Sequence, residues 1–178
     1  MSESDGGRLA RTLARTRVPL GFVFAAAVLA LATPTWRSLA MGGIVALFGE
    51  SVRFWAAGHL EKGREVTRSG PYRWTRHPLY AGSALIGAGV AIAAARFGVS
   101  TLVAGYLAAT IFAAIRHEEA GMRARFGNEY DAYARSRTQS VDRPFSFERA
   151  IKNKEHHAIV GLLVAAVVLS LKAALRSQ

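Results

Sequence analysis

The sequence predicts an all-α integral membrane protein, a helical bundle of about five transmembrane helices with interfacial helices on its cytoplasmic side. Three observations carry that expectation. Hydrophobic residues make up 51% of the 178 although the chain bears a formal charge of +11, a pairing unusual for a soluble domain. Several apolar runs approach the roughly twenty residues that a spanning helix needs. The basic residues between those runs fall on alternating sides of the expected membrane.

Taken in order, the runs are Val18–Ala32, Ser38–Ala57, Leu79–Ala95, Phe97–Ile115 and Ala158–Leu175. Met1 to Arg17 is polar and arginine-rich, like the start of a signal peptide. The first run is nevertheless read as a membrane helix, because Arg8, Arg11, Arg15 and Arg17 are spread before it, Pro34-Thr35-Trp36 closes it, and further spans follow. The fourth run has no charged residue, and the fifth carries Lys172, whose long stem reaches the interface by snorkelling. Runs three and four flank Arg96 and so form a tight antiparallel hairpin.

The N-terminal segment and the connections 58–78 and 116–157 hold 18 lysines and arginines, whereas Arg37, Arg96, Lys172 and Arg176 are the 4 on the other side. The positive-inside rule then places the N-terminus and both long connections in the cytoplasm. The polar stretch after Ile115 is too charged for lipid, yet Phe126, Tyr130 and Tyr133 recur at helical spacing. An amphipathic helix over Arg116–Arg137 is expected, with a break at Asp142-Arg143-Pro144 before a second short interfacial piece. The whole chain reads as a single membrane domain.

Composition also excludes chemistry. With no cysteine, disulfides, thiolate metal sites and a thiol nucleophile are ruled out. The basic residues form no continuous stripe, so anionic lipid headgroups rather than nucleic acid are the expected counter-charge. His59, His77 and His117 lack the spacing of a metal-binding cluster, and no metal is expected. Arginine outnumbers lysine 19 to 4 and alanine is abundant, which points to a prokaryotic inner or plasma membrane.

The chemically informative stretch is Gly70-Pro71-Tyr72-Arg73-Trp74-Thr75-Arg76-His77-Pro78-Leu79-Tyr80-Ala81-Gly82. Gly70-Pro71 makes a turn, Pro78 occupies a first helical turn where its missing N–H costs little, and His77 falls at that helix's N-terminus. Free N–H groups there suit a ligand carboxylate. An interfacial belt of Tyr72, Trp74 and Tyr80 is the plainer reading of the aromatics alone.

As a whole, Gly-x-Tyr-x-x-x-Arg-His-Pro-x-Tyr-x-Gly resembles the signature of the isoprenylcysteine carboxyl methyltransferase and phospholipid methyltransferase group. Glu118-Glu119, Phe126-Gly127, Tyr130 and Tyr133 resemble its second element, and the likeness runs from about Arg53 to Tyr133. The resemblance implies a membrane enzyme that binds S-adenosyl-L-methionine without a Rossmann domain and methylates a lipophilic acceptor. It further implies that Arg64, Glu65, Val66, Thr67, Tyr72, His77, Pro78, Leu79 and Tyr80 contact the cofactor. Glu118 then meets its cationic end, with Glu119 behind it or exposed.

Methyl transfer is an in-line displacement in which the protein aligns the partners and excludes water. Candidates for a catalytic part are Arg76 and Tyr80 in the motif and Glu50 and Arg53 in the second span. The last two are three residues apart, hence on one helix face, where a pair serves either function or mutual neutralisation. Eukaryotic prenylcysteine enzymes carry an arginine four residues before the glutamate, where this chain has Ala114, which weakens the case for a prenylcysteine carboxylate; the carboxylate, amine, phenol or thiol of a lipid-like molecule all remain open as acceptor. The rival readings are a nicotinamide-dependent membrane reductase of the steroid-reductase type and a non-catalytic membrane subunit or carrier.

Overall fold

The computed structural model describes residues 21–177. Among them the backbone forms seven α-helices, one 3-10 turn and no strand: α1 (Gly21–Leu31), α2 (Trp36–His59), the turn Gly70–Arg73, α3 (Pro78–Ala94), α4 (Phe97–Phe126), α5 (Asn128–Ala134), α6 (Phe147–Lys152) and α7 (Glu155–Arg176). This is an all-helical membrane bundle. α2, α4 and α7 are long and apolar enough to cross a membrane, and α1 and α3 are shorter apolar helices. Val18, Pro19 and Leu20 of the first expected span, and the four arginines before it, lie outside the described residues.

Local chemistry sets the helix ends. Thr35 and Ser38 form a reciprocal capping box at the start of α2, each side chain accepting from the other's backbone N–H, at 3.1 and 2.9 Å. Pro78 opens α3, as its position in the sequence predicts. Ser146 caps α6 by accepting from the Arg149 N–H at 3.3 Å.

α4 differs from expectation. It runs without interruption for 30 residues to Phe126, so the separate amphipathic helix expected over Arg116–Arg137 is instead the last turns of α4 plus the short α5. No glycine or proline with a breaking role intervenes before Gly127, whose φ of +49° turns the chain. Entry into polar surroundings does not by itself end a helix.

α2 and α3 pack antiparallel with their backbones in contact. Gly42 meets Gly89 and, two turns further along, Gly49 meets Gly82; a Cβ on Gly49 would lie 2.7 Å from the Gly82 carbonyl oxygen and 2.8 Å from the Ile86 nitrogen. Only a residue without a side chain fits such a seam, which is how helices gain packing contact in lipid. The outward residues Ile44, Leu47 and Phe48 of α2, and Leu163, Val164 and Val167 of α7, are exposed on the protein surface, as lipid-facing side chains are.

At the end of the bundle away from the motif, Val28, Ala32, Ala94, Val99, Val103 and Leu169 form the apolar core. Lys172 reaches the end of α1 there. Its ammonium donates to the Leu29 and Ala30 carbonyls at 2.7 and 2.6 Å, and Arg96 donates to the Leu31 carbonyl at 3.1 Å. Those carbonyls lack partners at the end of α1, and a cation satisfies both their hydrogen bonding and the helix dipole.

Gly49→Leu should force α2 and α3 apart and lower stability by about 1–3 kcal/mol. Gly43→Ala, which meets nothing within 4 Å, should leave it unchanged. Thermal unfolding of the detergent-solubilised protein distinguishes the two, and equal melting temperatures would count against the seam.

Candidate active site

The site is built on the connection between α2 and α3, which has little apolar core and is held by polar ties. The His59 ring and the Ser69 hydroxyl are 3.2 Å apart, and the Glu61 N–H donates to Thr67 at 3.2 Å. The segment before and within α6 grips the end of α2. Arg149 donates to the Gly58 carbonyl at 2.6 Å and pairs with Glu61 at 3.0 Å, and Asn153 donates to the Ala57 and Leu60 carbonyls, each at 2.9 Å. Arg143 holds Glu65 at 2.7 Å, and Phe145 fills the space that Gly58 leaves open.

The motif turn is fixed from the other side by α4 and α5. The Tyr133 hydroxyl donates to the Tyr72 carbonyl at 2.9 Å. Glu119 pairs with Arg76 at 3.0 Å, with His77 Nε2 at 3.1 Å and with Arg123 at 3.3 Å. Glu119 is therefore a positioning carboxylate, not an exposed one. Burial raises the Tyr72 phenol well above its usual range, with the nearby Glu118 carboxylate adding to it, and burial followed by Tyr130 pushes Tyr133 up to about 12. Both phenols stay protonated, so Tyr133 keeps its donor role.

These ties enclose a cavity of about 650 Å³ between the connection, the start of α3, the polar turns of α4, and α5. Of the residues singled out in the sequence, Glu65, Val66, Thr67, Tyr72, His77, Pro78, Leu79, Tyr80 and Glu118 line it, as do Arg53 and Arg76. Arg64 does not; it is exposed on the turn outside. Glu50 does not either, but is 8% exposed one helical turn from Arg53, whose Nε is 4.0 Å from its carboxylate.

Sequence reasoning missed Glu155. It lines the cavity from the first turn of α7, is 3% exposed, and accepts from Arg53 Nε at 2.6 Å. Arg53 also donates to the Ser83 hydroxyl and the Leu79 carbonyl, joining α2, α3 and α7. An acidic residue opening an apolar span on the motif's side was the available signal.

Several features suit a ligand with cationic, carboxylate and aromatic parts. Glu118 carries a carboxylate to the cavity wall, and Tyr72, Tyr80 and Tyr130 offer aromatic surface. The Nδ1 of His77 is buried without a hydrogen-bond partner, a cost that a ligand group would remove. The donor set thus fits the cofactor that the motifs imply.

The helical membrane bundle thus gathers two sequence motifs around one polar cavity. A family model described as phospholipid methyltransferase matches residues 20–129, and the chain belongs to that family, in agreement with the motif resemblance. It is a membrane methyltransferase. No curated protein matches the chain, and no solved structure does.

Tyr133→Phe should cost about 1 kcal/mol through the lost hydrogen bond to Tyr72. The folded-state phenol titrates near 12 against an ordinary 10.0, so its stabilisation is complete below pH 10 and is lost as pH rises through 12. Melting curves from pH 8 to beyond 12 should therefore fall less steeply in the variant; parallel falls would refute the assignment.

Proposed function

We propose that the protein binds S-adenosyl-L-methionine from the cytosol in this cavity and transfers its methyl group to a lipophilic acceptor arriving from the bilayer. The observation that carries this reading is the convergence of both motifs on one cavity beside membrane-embedded helices, in a chain of the phospholipid methyltransferase family. The N-terminus and the cavity face the cytoplasm, a reading supported by the excess of basic residues on the connections that build the site.

In this reading Glu118 meets the cofactor's cationic groups, and His77 Nδ1 and the free N–H groups at the start of α3 meet its carboxylate. Tyr72 and Tyr80 pack on its flat and apolar parts, and Val66, Thr67, Pro78 and Leu79 close around it. The cofactor supplies an activated methyl group; the chain supplies alignment, a dry wall on the bilayer side and a charged rim on the other. Glu119 acts through His77 and Arg76 by holding both in place.

Calorimetry with S-adenosylmethionine and S-adenosylhomocysteine tests the reading. Wild type should bind both, with affinity lowered about tenfold or more in His77→Ala and Glu118→Ala, in line with a lost charge-assisted hydrogen bond of about 1.5–3 kcal/mol. A wild type that binds neither, or variants that bind as well as wild type, would sink it.

A further inference from the structure

The charges at the bilayer end of the cavity do not balance. Glu50 and Glu155 share one guanidinium, Arg53, which commits its Nε to Glu155 at 2.6 Å and stands 4.0 Å from Glu50. Both Glu50 oxygens are buried with no hydrogen-bond partner. An uncompensated carboxylate within a membrane helix is costly unless something cationic joins it. The Glu50 oxygens are out of contact with solvent, and a proton is the smallest cation that can balance them.

We propose that Glu50, Arg53 and Glu155 together hold one mobile proton, and that Glu155 takes the proton that the acceptor loses on methylation. The proposal rests on the methyltransferase reading and narrows it, because it requires a protic acceptor, a lipid amine, phenol or thiol, and excludes a carboxylate. Without a ligand the proton resides on Glu50, whose oxygens have no hydrogen-bond partner, while Glu155 is held by Arg53 at 2.6 Å. A cationic ligand in the cavity, bound beside Glu155 and Arg53, drives that proton out to solvent by way of the Arg53–Glu155 pair and the open cavity, which leaves both carboxylates charged.

The step balances as follows in atoms and charge. The acceptor's X–H bond breaks, and its proton forms an O–H bond on Glu155. The electron pair left on X makes the X–CH3 bond, and the pair of the broken S–CH3 bond stays on sulfur as a neutral thioether. Arg53, freed from Glu155, closes on Glu50, and the proton later leaves through the open cavity.

Other cavity carboxylates are less suited, because they are open to water: the Glu65 side chain is 39% exposed against 4% for Glu155, and Glu118 is on the exposed rim. Glu50 and Arg53 of α2 and Tyr72 of the connection interact with Glu155, and Lys62, Glu65, Arg76 and His77 of the connection, Tyr80 of α3, His117, Glu118 and Arg125 of α4, and Tyr130 and Tyr133 of α5 share the cavity with it. Lys154, His156 and His157 flank it in the chain.

Infrared spectroscopy of the full chain in detergent at neutral pH, without ligand, reads the stored proton directly. A protonated-carboxylic-acid band should be present in wild type, absent in Glu50→Gln and retained in Glu118→Gln; a spectrum unchanged by Glu50→Gln overturns the cluster. The second arm uses radiolabelled S-adenosylmethionine with total lipid of the expression host and counts lipid-soluble label. Glu155→Gln should lose about 100-fold or more in kcat, the scale of a missing general base, with S-adenosylhomocysteine affinity kept and Glu155→Asp restoring part of the rate. A Glu155→Gln enzyme with the wild-type rate and pH profile overturns the proton-acceptor role. A wild type that neither binds cofactor nor labels lipid refutes the methyltransferase reading instead, while the infrared arm still decides the cluster.

Discussion

The close contact of the α2 and α3 backbones is the constraint from which the site follows. Lipid tails are as apolar as leucine, so two membrane helices gain little by burying large side chains against each other; they gain by bringing backbones together. Gly42 against Gly89 and Gly49 against Gly82 do this at two levels of one antiparallel pair. The lower contact brings the Arg53 guanidinium to the first turn of α3, where it reaches the Leu79 carbonyl and Ser83. With larger residues in the seam that reach would be lost, and with it the link that joins α2, α3 and the first turn of α7.

The two ends of the bundle then use charge differently. At the far end, Lys172 and Arg96 satisfy the last carbonyls of α1, so each cation replaces water at a helix terminus. At the motif end, arginines bind the connections to one another: Arg143 to Glu65, Arg149 to Glu61 and Arg73 to Asp142. An exposed pair of this kind contributes little alone. Here the pairs accompany hydrogen bonds to the carbonyls that end α2, and together they hold loops that have almost no apolar core of their own. Much of the basic excess is thus used in internal ties.

Much of this was legible in the sequence, for a physical reason. Hydropathy locates α2, α3 and α7 within a few residues, because apolar side chains and their polar flanks mark the same boundary. It misplaces the end of α4, because hydropathy stops at Arg116 while the backbone hydrogen bonds continue until Gly127 changes its direction. Within the site, Tyr72, His77 and Glu118 belong to compact motifs and were recognisable. Arg64 belongs to the same segment but points to the outside of the turn, which segment-level reasoning cannot distinguish. Glu155 is 102 residues from Arg53, and no local pattern connects the two. The sequence places Lys172 at the interface but not its partners, because these are backbone carbonyls, which have no sequence signature.

The cavity's lining changes character along the bundle, and that gradient bears on what it can accept. Near the connections it is lined by Lys62, Glu65, Glu118 and Arg125, and toward the helices by Leu79, Ala114 and the Arg53–Glu155 pair. A fixed cation facing the cavity at the position of Ala114 would attract an anionic acceptor; an alanine there offers no such attraction. At that end Arg53 is already engaged by Glu155 at 2.6 Å and by Ser83 and the Leu79 carbonyl, so its guanidinium has little left to offer an anionic head group. The gradient therefore runs from a charged rim at the connections to a wall at the helices whose cation, Arg53, is already paired.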